Sequence, residues 1–136
     1  MTDPFVGTWN LNVEKSAFDA NHRPTAGTMV FELDSEGCYL MKAEGRDAQG
    51  RKVEERPQRF EPDGQPRPVP GLPGLSAVAT RPEPNKLQCE ARREDGSIVG
   101  QGTYEVSADG RSLTAATAGF DTQLRRFEVR TVWDRA

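Results

Sequence analysis

Few residues in this sequence have the types and spacing that chemistry at a site requires. The single histidine, His22, lies in the polar segment NHRP at 21–24, where a lone imidazole is more often solvated than catalytic. The two cysteines, Cys38 and Cys89, fit no metal-ligand spacing, and no CxxC or CxxH pattern accompanies them. We expect two reduced thiols that pack as small apolar side chains. The sequence therefore predicts no bound metal and no cofactor, haem included.

General acid–base catalysis would require carboxylates or tyrosines placed beside a partner. The candidate carboxylates Glu44, Glu54 and Glu90 are interspersed with arginines and lysines, and nothing marks one of them as desolvated. No serine stands in a nucleophile-elbow pattern, and no glycine-rich phosphate loop precedes a helix. Tyr39 and Tyr104 are the side chains that an isomerase or lyase would use. We assign no catalytic residue, and an enzyme is the less favoured interpretation.

Length and charge limit the class of protein. The 136 residues fit one domain, 1–136, with 35% hydrophobic and 29% charged residues. Sheets with alternate apolar positions suit so small an apolar fraction. The net charge of −3 and the scattered arginines predict no nucleic-acid partner. Since no apolar run would form a signal-peptide core or a membrane span, we expect a cytoplasmic protein without a membrane partner.

The elements that would position a site begin with residues 5–11, which read FVGTWNL. With period two, Phe5, Gly7, Trp9 and Leu11 share one face, which is typical of a half-buried strand. Gly7 allows a sharp bend or a close approach of the backbone. Trp9 can then lie flat across the end of a small barrel and close it.

Turns recur along the chain at sequences that contain aspartate and glycine. Glycine stands where a positive φ is wanted in DSEG at 34–37, DAQG at 47–50, PDG at 62–64, EDG at 94–96 and ADG at 108–110. The predicted strands between the turns are 5–12, 27–34, 37–46, 51–60, 66–70, 76–81, 86–94, 97–107, 111–119 and 123–134. This rhythm predicts an all-β fold, an antiparallel up-and-down barrel of about eight to ten strands.

Three segments interrupt the rhythm. Residues 51–60 lack an apolar face and contain Pro57, so this strand is either an edge or faces a wet interior. Residues 13–26 form a connection in which Val13, Ala17 and Phe18 predict one apolar side of a short helical turn, a short lid over an opening. Residues 66–75 read PRPVPGLPGL and predict a stiff, extended surface crossing.

These features resemble a family of small barrels. FVGTWNL at 5–11 and KSAFD at 15–19 resemble the opening of fatty-acid-binding proteins, and RTVWDR at 130–135 resembles their last strand. The Gly-x-Trp element is similar to the first strand of lipocalins and avidins. Short bacterial lipocalin-like proteins share the Trp-x-Leu-Asn-x-x-Lys-Ser pattern found at 9–16. The resemblance to this calycin group implies an up-and-down barrel that holds a small ligand.

The resemblance also implies roles for individual residues. Fatty-acid-binding proteins commonly end with an inward Arg-x-Tyr pair that grips a carboxylate. Aligning Trp133 with that tyrosine places Thr131 at the arginine, so carboxylate recognition by that device is not expected. In lipocalins an arginine packs across the Gly-x-Trp indole, which implies Arg130 over Trp9 through a cation–π contact. Gly7, Trp9 and Arg130 would then close one end.

The expected function is the binding of a small, largely apolar molecule inside the barrel. Three alternatives stay open: a barrel packed solid by the same side chains, an isomerase or lyase inside it, and an interaction module using a sheet edge or the proline-rich segment. Monomer and homodimer are both compatible, because exposed edge strands can pair. The residues expected to line the ligand site are Met29, Phe31, Met41, Tyr104, Phe127, Val129 and Trp133.

Overall fold

The computed structural model describes residues 3–17, 24–54, 57–69, 72–120 and 126–136. Within these ranges the regular structure consists of strands joined in one antiparallel sheet, which confirms the all-β prediction. The described residues contain no helix that is long and apolar enough to cross a membrane. The strands are β1 (Gly7–Ala17), β2 (Ala26–Leu33), β3 (Tyr39–Arg46), β4 (Lys52–Glu54), β5 (Gln58–Phe60), β6 (Arg67–Pro68), β7 (Leu75–Glu83), β8 (Lys86–Arg93), β9 (Ile98–Val106), β10 (Ser112–Phe120) and β11 (Arg126–Arg135).

The sheet follows the order of the chain and joins its first strand to its last. The strand order is β4-β3-β2-β1-β11-β10-β9-β8-β7-β6, and β5 pairs with β3. The β1–β11 pairing sets Trp9 opposite Arg135 and Leu11 opposite Trp133. This arrangement is the predicted up-and-down barrel, with eleven strands among the described residues where about eight to ten were predicted.

Four tight turns between strands lie at predicted aspartate–glycine sequences, at 34–37, 47–50, 94–96 and 108–110, whereas the turn between β7 and β8 is formed by Pro84 and Asn85. In the turn between β2 and β3, Gly37 has a φ of 81°, a value that favours glycine. The Oδ1 atom of Asp34 accepts hydrogen bonds from the backbone N–H groups of Glu36 and Cys38, at 2.9 and 3.0 Å. The turn between β3 and β4 repeats this pattern. The aspartates therefore replace hydrogen bonds that the ladder cannot supply at a turn.

Trp9 closes one end of the barrel, and its side chain is fully buried. Its Nε1–H donates a hydrogen bond to the carbonyl of Phe5 at 3.0 Å. The guanidinium of Arg135 lies over the indole, 4.2 Å from the ring centroid. The prediction that Arg130 covers Trp9 is therefore wrong. Arg130 is exposed on the outer face, because side chains alternate along a strand and the two arginines have opposite parity.

Gly7 lies where Arg135 needs room. A Cβ atom at Gly7 would lie 2.7 Å from Nη1 of Arg135, and the φ of Gly7 is 138°. Nη1 and Nη2 of this arginine donate to the carbonyls of Val6 at 2.9 Å and Pro4 at 2.6 Å. The close approach expected at Gly7 is thus made by an arginine side chain from the last strand.

A large bulge in β1 accounts for the serine of the Asn-x-x-Lys-Ser sequence. From the pair Asn12–Val132 to the pair Ala17–Arg130, the register moves by five residues along β1 but by only two along β11. Ser16 Oγ donates to the carbonyl of Asn12 at 2.7 Å and accepts from the N–H of Val132 at 2.8 Å. The serine hydroxyl thus replaces the ladder contact that the bulge removes.

The predicted helical turn in the first connection is wrong for the residues described there. Val13 and Ala17 belong to β1, which runs on as a bulged strand. Phe18 and His22, the other residues considered in that segment, lie outside the described residues.

The predicted strand 51–60 is wrong as a single element, because it forms β4 and β5, which both pair with β3. Pro57 precedes β5 and has no N–H to donate to a ladder. After β5 the chain crosses to β6 and β7, where the N–H of Gly64 donates to the carbonyl of Ala79 at 2.8 Å. Arg67 binds Glu61 at 2.9 Å across this seam. Hydrogen bonds and an ion pair therefore join the barrel where strand pairing is sparse.

An aromatic cluster fills the closed end. Phe5 lies 5.8 Å from Phe31 and 5.7 Å from Tyr39 between ring centroids. Tyr104 lies 5.9 Å from both Phe31 and Phe60. These tilted and edge-on contacts are the arrangements that aromatic rings prefer. The closed end is therefore solidly packed by these rings.

Candidate ligand-binding cavity

The end of the barrel opposite Trp9 contains a cavity of about 810 Å³. This volume falls in the range of about 300–1,000 Å³ that is usual for small-molecule sites. Its inner wall comes from β1, β2, β3, β9, β10 and β11, and its mouth from the β3–β4 connection. We call residues 44–53 the mouth hairpin. The described inner-wall residues are Leu11, Gly27, Met29, Met41, Ala43, Tyr104, Ala115, Thr117, Val129, Thr131 and Trp133.

The structure brings most of the predicted ligand-site residues together on this wall. Met29, Met41, Tyr104, Val129 and Trp133 line the cavity, because each occupies an inward position of its strand. That they bind a ligand remains a prediction.

Two predicted residues lie elsewhere. Phe31 does not line the cavity, since it is fully buried in the aromatic cluster beneath it. Phe127 is also absent from the described lining. Its Cε1 lies 3.5 Å from where a Cβ of Gly119 would stand, so its ring lies beside that glycine. The alternation of inward and outward side chains along β2 and β11 was predicted correctly. The positions of Phe31 and Phe127 along the barrel axis were not.

Sequence reasoning missed the small and hydroxylic members of the wall. Ala43 follows Met41 by two residues, and Thr131 lies between Val129 and Trp133 with the same parity. Period two would have included them. They were passed over because only large apolar side chains were considered as ligand contacts.

Trp133 spans three strands at the wall. Its Cη2 lies 3.2 Å from where a Cβ of Gly27 would stand, and side-chain atoms of Leu11 lie beside the same point. Its Nε1–H donates to Oγ1 of Thr131 at 2.8 Å. Thr131 in turn donates to the carbonyl of Ala115 at 3.4 Å. The indole is therefore held beside β1 and β2 and lines the cavity.

The mouth hairpin carries charged groups that bind each other. Nε of Arg51 donates to Oδ2 of Asp47 at 3.0 Å, and Nη1 of Arg46 donates to the carbonyl of Gly50 at 3.0 Å. Backbone hydrogen bonds, foremost that from Arg51, hold the pKa of Asp47 below its usual value of 3.8. The mouth is thus polar and internally paired, whereas the wall below it is apolar.

Of the side chains considered for acid–base chemistry, Tyr104 lines this cavity and Glu44 borders its mouth, and the other three lie elsewhere. Glu54 is exposed, and Glu90 pairs with Arg92 at 2.6 Å. Tyr39 lies at the closed end, where its hydroxyl donates to Asp3 at 2.5 Å, and burial raises its pKa well above 10. Glu44 borders the cavity only at the mouth, with an exposed side chain.

The thiols and the acidic cluster near β3 offer little further chemistry. Burial raises the pKa of Cys38, and raises that of Cys89 to about 12, so both thiols stay protonated. Asp34, Glu36 and Cys38 stand close enough to hold a metal ion. Arg59, however, already binds both carboxylates, at 3.0 and 2.9 Å. This guanidinium supplies the positive charge that a cation would bring.

No protein-family model matches this sequence, and neither does any curated protein. Solved structures match it over nearly its whole length. The fluorescent protein UnaG superposes with a TM-score of 0.64 at 16% identity, covering 100% of both chains. A zebrafish ileal bile acid-binding protein complexed with cholic acid gives 0.59 at 13% identity, covering 98% of this chain and 99% of that one. As-p18, an extracellular fatty acid binding protein, gives 0.54 at 12%, covering 98% and 97%.

At such identities these similarities establish the fold and nothing finer. They agree with the meander order of the sheet and with the pairing of its first and last strands. They also confirm the resemblance drawn from the two ends of the sequence. The chain has the fold of the calycin-type β-barrels.

Proposed function

We propose that this protein reversibly binds a small, largely apolar molecule in the cavity. The observation that carries the proposal is a hollow of about 810 Å³ with a wall of aliphatic, thioether and aromatic side chains. A ligand of about 25 non-hydrogen atoms, at about −0.3 kcal/mol each, gives about −7.5 kcal/mol. That free energy corresponds to a Kd of about 3 μM. The expected affinity suits reversible carriage or buffering of the ligand.

The division of the barrel supports this proposal. The aromatic cluster and the Trp9–Arg135 closure stabilise one end, so the other end need not be filled to hold the fold. Met29 and Met41 belong to the packed core, with 2% and 3% of their surface exposed, and border the hollow from there. Their flexible, polarisable side chains can adapt to an irregular ligand surface. In a solid-core interaction module, Met29 and Met41 would only pack the interior of the barrel.

Two barrels of the same fold are named for ligands of this kind. One is a bile acid-binding protein complexed with cholic acid, and the other is a fatty acid binding protein. Their low identity to this chain leaves the particular ligand open, but both ligand types have large apolar bodies. This is the coarse class that we propose here.

A single chain suffices for the proposed site. The described lining comes from one continuous sheet, which supports treating residues 1–136 as one domain that acts as a monomer. The net charge of −3 supports the absence of a nucleic-acid partner. Two free thiols are compatible with the cytoplasmic location that we propose.

Titration with Nile red, an uncharged apolar dye, tests the proposal. We expect a saturable enhancement of the dye's fluorescence. The Ala43→Trp substitution should raise the Kd for the dye by about tenfold or more, which corresponds to about 1.4 kcal/mol. Ala43 lines the cavity, so an indole there would fill it. Lys42→Trp is the matched control, since Lys42 is exposed on the same strand. Equal loss in both variants, or no saturable binding to the wild type, would reject the proposal.

A further inference from the structure

The inner wall below the mouth offers no counter-ion to a ligand. Its described residues include no lysine, arginine, aspartate or glutamate. Thr131 stands where an inward arginine would align, and its hydroxyl is already engaged. It donates to the carbonyl of Ala115 at 3.4 Å and accepts from Nε1 of Trp133 at 2.8 Å. An ionised group buried against this wall would lack a partner, which is strongly disfavoured.

Formal charge among the described lining residues is confined to the mouth. The charged members are Glu44, Arg46, Asp47 and Arg51. Arg51 binds Asp47 at 3.0 Å, and Glu44 lies 3.7 Å from Lys52, which also binds Glu54 at 3.0 Å. Arg46 forms no ion pair with a carboxylate of the described residues. Of these four charges, that of Arg46 is therefore the one left without an opposite partner.

Arg46 is held at the edge of the opening by backbone groups. Its Nη1 donates to the carbonyl of Gly50 at 3.0 Å, across the mouth hairpin. Its own carbonyl accepts from the N–H of Thr25 at 2.9 Å, and the residue lies opposite Ala26, which lines the cavity. A guanidinium has five N–H donors. The donors on Nε and Nη2 bind no other described group and can bind a ligand.

On the basis of the proposed function, we infer that the ligand is an amphipathic molecule with one anionic group, which stays at the mouth beside Arg46 while the apolar body lies along the wall. A guanidinium binds a carboxylate, sulfate or phosphate oxygen through charge-assisted hydrogen bonds. This orientation is the reverse of the inward carboxylate that an Arg-x-Tyr pair on the last strand would hold. Because Arg46 is exposed, its contribution is modest and weakens with salt.

Oleate labelled with ¹³C at the carboxyl or at the terminal methyl tests the orientation. With the protein saturated and a soluble gadolinium chelate added, we expect the carboxyl signal of bound oleate to broaden and the methyl signal to be protected. The carboxyl signal should also titrate at pH about 4–5, as an ordinary carboxyl group does. A protected carboxyl with a broadened methyl, or equal broadening of the two signals, would overturn the inference.

Competition against bound Nile red at low salt tests the role of Arg46. The Arg46→Gln substitution should raise the inhibition constant of oleate about threefold, and Arg46→Glu about fivefold or more. Arg46→Lys, which keeps the charge, should stay within about twofold of the wild type. Oleyl alcohol has the same chain without the charge, so its constant should change by less than about 1.5-fold in every variant. Salt at about 0.5 M should reduce the differences for oleate.

A matched control is available on the same strand. Lys42 is exposed and has the parity of Arg46, but it is not part of the cavity lining. Lys42→Gln changes the net charge equally and should leave oleate binding within about 1.5-fold. Equal losses of oleate binding in Lys42→Gln and Arg46→Gln, parallel losses of oleyl alcohol, or failure of oleate to displace the dye would overturn the inference. Failure of Nile red itself to bind would instead reject the proposed function.

Discussion

The guanidinium of Arg135 lies 4.2 Å from the centroid of the Trp9 indole, so the last strand stacks on the first at the closed end. The same arginine donates hydrogen bonds to the carbonyls of Pro4, Val6 and Gly110. One side chain therefore fixes the segment that precedes β1, the turn before β10 and the indole. This closure stabilises the barrel without using the cavity, which leaves the opposite end free for a ligand.

Replacing the indole tests the closed end. Trp9→Ala should lower the free energy of unfolding by about 3–5 kcal/mol, because a fully buried aromatic side chain leaves a cavity behind. Urea denaturation followed by circular dichroism measures the change. A loss below about 1 kcal/mol would mean that Trp9 does not close the barrel.

Arg130 and Arg135 of β11 should behave differently on substitution. The Arg135→Met substitution should lower the free energy of unfolding by about 2–3 kcal/mol. The reason is that partly buried carbonyls lose charge-assisted hydrogen bonds and the Trp9 indole loses its cation–π partner. Arg130→Met is the matched control. It should stay within about 0.5 kcal/mol, since Arg130 is exposed. The same denaturation experiment compares them, and a larger loss for Arg130→Met would restore the sequence-based assignment.

The bulge in β1 depends on one hydroxyl. Ser16→Ala removes the acceptor of the Val132 N–H and the donor to Asn12. We expect a loss of about 1–3 kcal/mol in the free energy of unfolding, because a partly buried amide is left without a partner. Ser35→Ala, in the exposed turn after β2, should change it by less than about 0.5 kcal/mol. Equal effects of the two variants would contradict the role given to Ser16.

Acid should destabilise the protein through the turn aspartates. Backbone hydrogen bonds, foremost those from Cys38 and Arg51, lower the pKa of Asp34 and Asp47 below 3.8. A carboxyl whose folded pKa is below its unfolded pKa contributes stability above the unfolded value, and this contribution is lost as pH falls through the folded value. The urea concentration at the midpoint of unfolding should stay constant between pH about 7 and about 5. It should decrease when the pH is lowered below about 4.

An asparagine pair provides the control for this pH dependence. In Asp34→Asn with Asp47→Asn, the side-chain oxygens can still accept hydrogen bonds, but they no longer titrate. The acid-induced fall in the urea midpoint should therefore be smaller in this double variant than in the wild type. An identical fall in the two proteins would assign acid sensitivity to other carboxyls.

Alternation and turn chemistry predicted most of the sheet. Both are local properties, since one face of each strand must be apolar and Asp–Gly turns need a positive φ. Strand 51–60 was wrong because pairing with β3 breaks near Pro57, and the partner of a weak strand is not a local property. The family resemblance implied Arg130 over Trp9, but Arg130 has the outward parity of β11, whereas Arg135 has the inward parity and covers the indole.

The cavity itself was beyond prediction from the sequence. Met29 and Phe31 are adjacent inward positions of one strand, yet the first lines the cavity and the second is packed beneath it. The difference comes from Phe5 and Tyr39, which reach Phe31 from other parts of the chain. Whether a barrel is hollow therefore depends on how far such non-local packing extends along its axis.

Methyl resonances of methionine test the central claim most directly. The sequence has three methionines, of which Met29 and Met41 line the cavity. In a titration of the ¹³C-methyl-labelled protein with Nile red, the account predicts that these two signals shift together and saturate at one equivalent. Saturable dye binding that leaves both signals in place would show that the ligand binds elsewhere and would contradict the proposed function.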